Sequence, residues 1–227
     1  MLIHEAVKTH WWRAALVVAA VVVASFARND PFAGLFGLLP VLLWCCLARS
    51  PRTGVVVGLV LVALLAWFVL PRSMDLAGPW VPAAIEVYWL HTTLAAVVCW
   101  FGARRGAGRL LAMVLAGLVV TGGVLFAGLE APPGDEGISP GPPQLRITEG
   151  HECGSGGCWR VLKAIGDRAP DVMRDYLVAR NFAPGPTSTI TGAPRFCRST
   201  GIVVDHKVCA ELRTLSANAV RVGWYVG

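Results

Sequence analysis

The sequence predicts a membrane α-helical bundle of five transmembrane helices, followed by a small exported α+β domain with an antiparallel sheet, one helix and two disulfides. Three observations lead there. Of 227 residues, 55% are hydrophobic and 15% charged; the long apolar runs almost all precede Glu130; and four of seven cysteines fall in the last third. Soluble domains use charged residues for about a quarter of their length, so the first half of this chain is not composed for water.

A helix needs about 20 mainly apolar residues to cross a bilayer's hydrocarbon core, within a range of about 17 to 25. Five runs fit: one from Trp11 or Arg13 to position 27, then 32–48, 54–70, 81–102 and 110–129. Between them stand charges and turn formers, such as Arg28, Asp30 and Pro31, or Arg49, Pro51 and Arg52, which lie poorly in lipid. With a cytoplasmic N-terminus, Lys8, Arg13, Arg49, Arg52, Arg104, Arg105 and Arg109 collect inside, and the short outer loops keep Arg28 and Arg72. Seven against two is the bias that orients helical membrane proteins. Trp11, Trp12, Trp44, Trp67, Trp80 and Trp100 fall near span ends, where indole favours the interface. An odd number of spans then places everything after position 129 outside the plasma membrane. The first run ends Ser25-Phe26-Ala27 and also fits a cleaved leader; four spans would remain, with the same final topology.

The net charge of +6 divides unevenly. Residues 1–129 hold nine Lys/Arg against four acids, and residues 130–227 eleven against ten. The surplus flanks the spans, beside lipid headgroups. Without a basic stripe and interleaved aromatics, the chain reads as having no nucleic-acid partner.

Three regions follow: 1–129 as the five-helix transmembrane domain, 130–143 as a linker, and 144–227 as the extracytoplasmic domain. The linker has five prolines, three glycines and three acids in fourteen residues, a composition expected to bury almost nothing and to hold the domain as much as ~40 Å from the bilayer. In the domain, alternation predicts strands at 145–149 and 158–165, with Trp159, Val161 and Ile165 sharing a face. Met173, Tyr176, Leu177 and Arg180 recur at helical spacing within 170–181, with Asn181 as a stop. Strands are expected at 195–204, interrupted at Gly201, at 208–215 and at 219–226, where Val220, Val222, Trp224 and Val226 share a face.

Cys153, Cys158, Cys197 and Cys209 form an even set in a small domain, as an oxidising compartment favours. Glycines between Cys153 and Cys158 let the backbone fold back far enough for a bridge, leaving Cys197 with Cys209, although four cysteines allow three pairings. The C-x4-C spacing with His151 departs from metal-site forms, and neither a C-x-x-C redox motif nor a nucleophile elbow around Ser155 is complete. Asp205-His206-Lys207 between two apolar runs reads as a hairpin turn rather than a general base. No cofactor is implied.

Within the apolar runs, Glu86 and His91 are the strongly ionisable residues of the fourth span and make a candidate intramembrane polar site. Five residues apart, they would occupy different faces of an α-helix, with Glu86 near enough to the outer edge to reach headgroups. Gly54 and Gly58, and Ala112, Ala116, Gly117 and Thr121, have the small-residue spacing of close helix packing. Cys45, Cys46 and Cys99 read as reduced residues near inner span ends.

The C-G-S-G-G-C-W-R run from Cys153 to Arg160, followed by a helix, Phe196-Cys197-Arg198 and Val208-Cys209, resembles exported domains of actinobacterial-type multi-pass membrane proteins. The resemblance covers the last third of the chain, implies an exported disulfide-bearing domain and transfers no catalytic residue. The expected function is non-catalytic: a membrane protein whose outer domain binds a protein partner, an envelope component or a ligand. The alternative is a small transporter or ion-coupled protein using His91 and Glu86.

Overall fold

The computed structural model describes residues 2–27, 30–102, 107–128, 132–154, 157–189 and 191–226. Arg28, Arg104, Arg105, Leu129, Glu130 and Ser155, all weighed above, lie outside the described residues. The chain divides into two compact units, Met1–Met74 with Val81–Val124, and Asp75–Trp80 with Leu125–Gly227.

The first unit is helical: α1 (Leu2–Ala24), α2 (Pro31–Gly37), α3 (Leu39–Leu47), α4 (Pro51–Ser73), a π-helix (Val87–His91), α5 (Thr92–Gly102) and α6 (Ala107–Gly128), whose last residues belong to the second unit. Two helices are long and apolar enough to cross a membrane, Pro51–Ser73 and Ala107–Ala127. The other three expected spans are shorter apolar helices, Trp11–Ala24, Pro31–Leu47 and Val87–Gly102. The second is divided at Leu38, just before Pro40, which has no N–H to continue the hydrogen-bond ladder. The fourth begins late because Pro82 precedes it and its first turn is wide. Asp30 caps α2 by accepting from the Ala33 N–H at 3.0 Å, and Ser50 caps α4 by accepting from the Thr53 N–H at 3.2 Å; each supplies an oxygen to a helix start that has no backbone partner of its own.

Gly54 and Gly58 do pack helices within the chain. A Cβ at Gly54 would lie 2.5 Å from the Trp12 ring, and one at Gly58 2.2 Å from Leu16, so α1 rests directly on the α4 backbone. Of the second small-residue set, Gly117 is buried and Ala112 and Ala116 are exposed. Trp12 and Trp44 also depart from the interfacial expectation: both are buried, and the Trp44 indole donates to the Gly54 carbonyl at 3.0 Å, satisfying the one polar group that would otherwise resist burial.

The second unit carries β1 (Arg146–Gly154), β2 (Gly157–Ile165), α7 (Ala169–Ala179), β3 (Ala183–Gly185), β4 (Arg195–Thr200), β5 (His206–Ser216) and β6 (Ala219–Val226). The strands form one antiparallel sheet in the order β1-β2-β6-β5-β4-β3. Ala169, Met173 and Leu177 of α7 join Leu162, Ala164, Phe196, Ala210, Leu212, Val220, Val222 and Trp224 in the core. Asn181, at φ 63, ends the helical segment in the left-handed region, which asparagine tolerates better than most residues.

Trp159, Val161 and Ile165 stand at alternate positions on one face of β2, and the core takes Leu162 and Ala164 from the other face. Two expectations change here. The expected strand 195–204 stops at Thr200, which pairs with His206, so the turn is residues 201–205 and His206 opens β5. The linker is not a free tether, since Ile138 is fully buried, the Trp224 indole donates to the Gly134 carbonyl at 2.9 Å, and Arg180 and Arg198 donate to the Gly137 and Glu136 carbonyls. A Pro/Gly-rich segment needs no secondary structure to bury one isoleucine and lend carbonyls to a neighbouring core.

Candidate functional site

In the helical unit, Glu86 immediately precedes the π-helix and His91 is its last residue, and both are fully buried. Hydrogen bonds to the fifth residue widen the turn, so the α-helical argument for placing these residues on opposite faces does not apply. Glu86 does not extend to the surface; it turns back, and its Oε2 accepts from the Ala83 N–H at 2.9 Å. That is the return half of a capping box, in which a carboxylate three residues along closes the helix start. The spacing of Ala83 and Glu86 after Pro82 was the available signal.

His91 is different. Its ring stands edge-on to Phe68, centroids 5.3 Å apart, and among the described residues neither ring nitrogen has a hydrogen-bond partner. It is therefore not bonded to Glu86. Next to it, the Thr92 hydroxyl donates to the Tyr88 carbonyl at 2.7 Å and the Thr93 hydroxyl to the Trp89 carbonyl at 2.6 Å, occupying oxygens on the widened turn. Gly117 lets α6 approach that turn, since a Cβ there would come within 2.3 Å of the Tyr88 carbonyl. The Tyr88 hydroxyl lies 3.4 and 3.5 Å from the Asp30 carboxylate oxygens, a long and weak contact.

In the sheet unit, all four predicted cysteines are bridged, Cys153 to Cys158 and Cys197 to Cys209. Each pair faces itself across adjacent strands. The β1–β2 register continues to Gly154 opposite Gly157, whereas β2 pairs with β6 only from Arg160 onward. β2 is therefore unpaired with β6 over its first three residues, where the hairpin forms a short two-stranded arm, and the first disulfide closes its outer end. Arg160 bonds Glu149 at 2.8 Å, and Arg221 pairs with Glu152, so the base of the arm is braced on both sides. β1 is an edge strand exposed over nearly its whole length.

No family model, curated protein or solved structure matches this chain.

Asp75–Trp80, the segment that follows α4, belongs to the sheet unit. The Gly78 N–H donates to the Ser199 carbonyl at 2.9 Å, and Asn181 donates to the Asp75 carbonyl at 3.0 Å. The Asp75 carboxylate faces two guanidiniums, Arg180 at 3.2 Å and Arg198 at 3.7 Å. Arg198 is nearly buried and stacks over Phe182, 4.8 Å from the ring. Burial pushes the Tyr176 phenol above its usual range, with the Arg180 charge opposing the shift. Sequence reasoning did not single out Asp75; its partners, Arg180 at the end of α7 and Arg198 on β4, stand so far along the chain that no local pattern links them to it. Among the described residues, no three His, Cys, Asp or Glu side chains converge where a metal could sit.

Proposed function

We propose that this chain is a multi-pass protein of the plasma membrane, with a cytoplasmic N-terminus and five spans, whose extracytoplasmic sheet domain binds a protein partner or envelope component without catalysis. Two helices of sufficient length, three shorter apolar helices and the seven-to-two cation bias support the membrane part. Asp75–Trp80 and the sheet share one compact unit, which supports placing both on one side of the bilayer, as five spans require. Two disulfides favour the oxidising side.

The observation that carries the binding reading is the stapled arm. A hairpin that leaves its sheet, is closed by a disulfide and offers an open strand edge is preorganised for recognition, because little freedom remains to be lost on binding. An exposed edge can also accept an added strand from a partner. The test is photocrosslinking in intact cells from His151→p-benzoylphenylalanine on the arm, against Ser216→p-benzoylphenylalanine at the opposite end of the sheet. A discrete adduct from position 151 and none from 216 is expected; equal yields, or none at either position, would reject the arm as the recognition element.

A second reading, ion-coupled transport through the helical unit, is favoured by one observation: the buried ring of His91, the last residue of the π-helix, has both nitrogens unpaired among the described residues. Such turns recur at functional sites. Glu86, already engaged as a cap, adds little to it.

A further inference from the structure

The strand register divides the side chains of the sheet between two faces. One face carries Leu162, Ala164, Val220, Val222 and Trp224 and packs against α7. Gly134, Glu136 and Ser139 bond to that same face, through Trp224, Arg198 and Glu149. The alternate residues form the second face, with Trp159, Val161 and Lys163 on β2 beside Gly223 and Arg221 on β6. On its β4 side the loop after β3 folds over this face: Ser188 accepts from Arg195 at 3.0 Å, and Thr191 donates to Glu211 at 3.1 Å. Over β1, β2 and β6, no element of the sheet unit packs on it among the described residues.

Cations line up across this open region. Lys163 pairs in register with Arg221, and Arg221 with Arg213, so three charges stand on neighbouring strands about 5 Å apart. Like charges directly opposite one another cost a sheet stability, so the row does nothing for the fold. Glu152 reaches Arg221. Lys163 and Arg213 are exposed and, among the described residues, have no carboxylate partner. Arg146, one row further out opposite Ile165, is exposed and unpaired in the same way. Glu211, the other strand carboxylate of this face, is held by Arg195 at 2.8 Å.

An aromatic surface accompanies the row. The half-buried Trp159 indole lies along the sheet rather than standing out from it. A Cβ at Gly223 would be 3.9 Å from its Cδ1, and one at Gly154 would be 3.3 Å from its Cη2, at the other end of the ring system. Between the indole and the cations, Gly150 and Gly223 stand on either side of Val161. A Cβ at either glycine would meet only ordinary contacts, at 3.6 Å or more, so the two leave a shallow trough that Arg221 crosses to reach Glu152. From Trp159 to Lys163 is about 13 Å along the strand.

We propose that this open face binds an acidic polysaccharide of the cell envelope, a sugar ring stacking on Trp159 while carboxylates of the polymer meet Lys163, Arg213 and Arg146. Indole offers a broad apolar surface to the C–H face of a sugar, and anions repeated along a chain match a row of cations. Protein partners are held mainly by anchors in deep pockets, whereas this face is shallow. The inference rests on reading the sheet unit as an extracytoplasmic binding domain, and it names the chemistry of the envelope component. Trp159 belongs to the part of β2 that is unpaired with β6, so the stapled arm and this face are continuous.

The test measures binding of the full chain, in phosphatidylcholine nanodiscs, to decagalacturonate, to the same oligomer methyl-esterified, to poly-L-glutamate and to oligothymidylate. The expected result is binding of decagalacturonate in preference to the other three. Trp159→Ala should weaken it about tenfold, and Trp159→Phe, which keeps a ring, should retain most of the affinity. Lys163→Gln combined with Arg213→Gln should also weaken it about tenfold, and Arg174→Gln on α7 should leave it unchanged. Near-UV circular dichroism like that of the unsubstituted chain shows that each variant is folded. Equal binding of poly-L-glutamate or oligothymidylate, or an affinity indifferent to these substitutions, would overturn the polysaccharide assignment. No binding of decagalacturonate, with a discrete photocrosslink still formed from position 151, would overturn this inference alone; loss of both would overturn the binding-domain reading with it.

Discussion

His91 is the residue whose chemistry is least resolved by its surroundings. A buried polar group with no hydrogen bond costs about 1–3 kcal/mol, and here two nitrogens are unpaired against Phe68. A histidine serving only to fill space would be improved by an apolar replacement of similar size. The binding-module reading therefore expects His91→Leu to raise thermal stability in vesicles by about 1 kcal/mol and to leave ion flux unchanged. Lost flux with no gain in stability would shift the weight to transport. Glu86 illustrates the opposite outcome for a buried ionisable group, since its carboxylate is used by its own helix start.

At the scale of elements, the two cross-strand disulfides differ in the loops they close. Their sequence separations are 5 and 12, which on a chain-entropy argument correspond to about 2 and about 3 kcal/mol. Replacing Cys197 and Cys209 by serine should lower unfolding stability by more than the same change at Cys153 and Cys158, read by denaturant titration of the full chain in detergent. The inverse ranking would mean that the arm's bridge supports the sheet itself. The elements also show what the sequence could convey. Strand β6 was plain, because Val220, Val222 and Trp224 alternate with Arg221 and Gly223; β2 was legible as a strand but not in which face it buries, because Val161 and Ile165 are as apolar as Leu162 and Ala164. The second disulfide was legible from parity. The turn at 201–205 was not, because isoleucine and valines there look like more strand. Helix α7 was found from its spacing to within two residues at each end, whereas the π-helix leaves no mark in hydrophobic periodicity.

For the whole molecule, topology is the claim on which most depends. After mild reduction of intact cells, a membrane-impermeant maleimide should label Cys153, Cys158, Cys197 and Cys209, and should reach Cys46 only after lysis, since Cys46 is exposed near the expected inner end of α3. Labelling of the four domain cysteines only after lysis would invert the orientation. The bundle as a set of five full-length crossings was a matter of composition and length in the sequence. Two of the five have the length in the structure, and the division at Leu38 and the late start at Val87 came from prolines whose effect depends on where the helix is asked to continue.

The sheet unit draws on two distant stretches of the gene. Asp75, the carboxylate that faces Arg180 and Arg198, is translated long before α7 and β4, which carry those arginines, emerge, and it waits between two apolar helices until they arrive. A tail fragment excised at the Pro-rich segment would leave that hexapeptide behind, so the sheet unit is finished only when both stretches are present on one polypeptide.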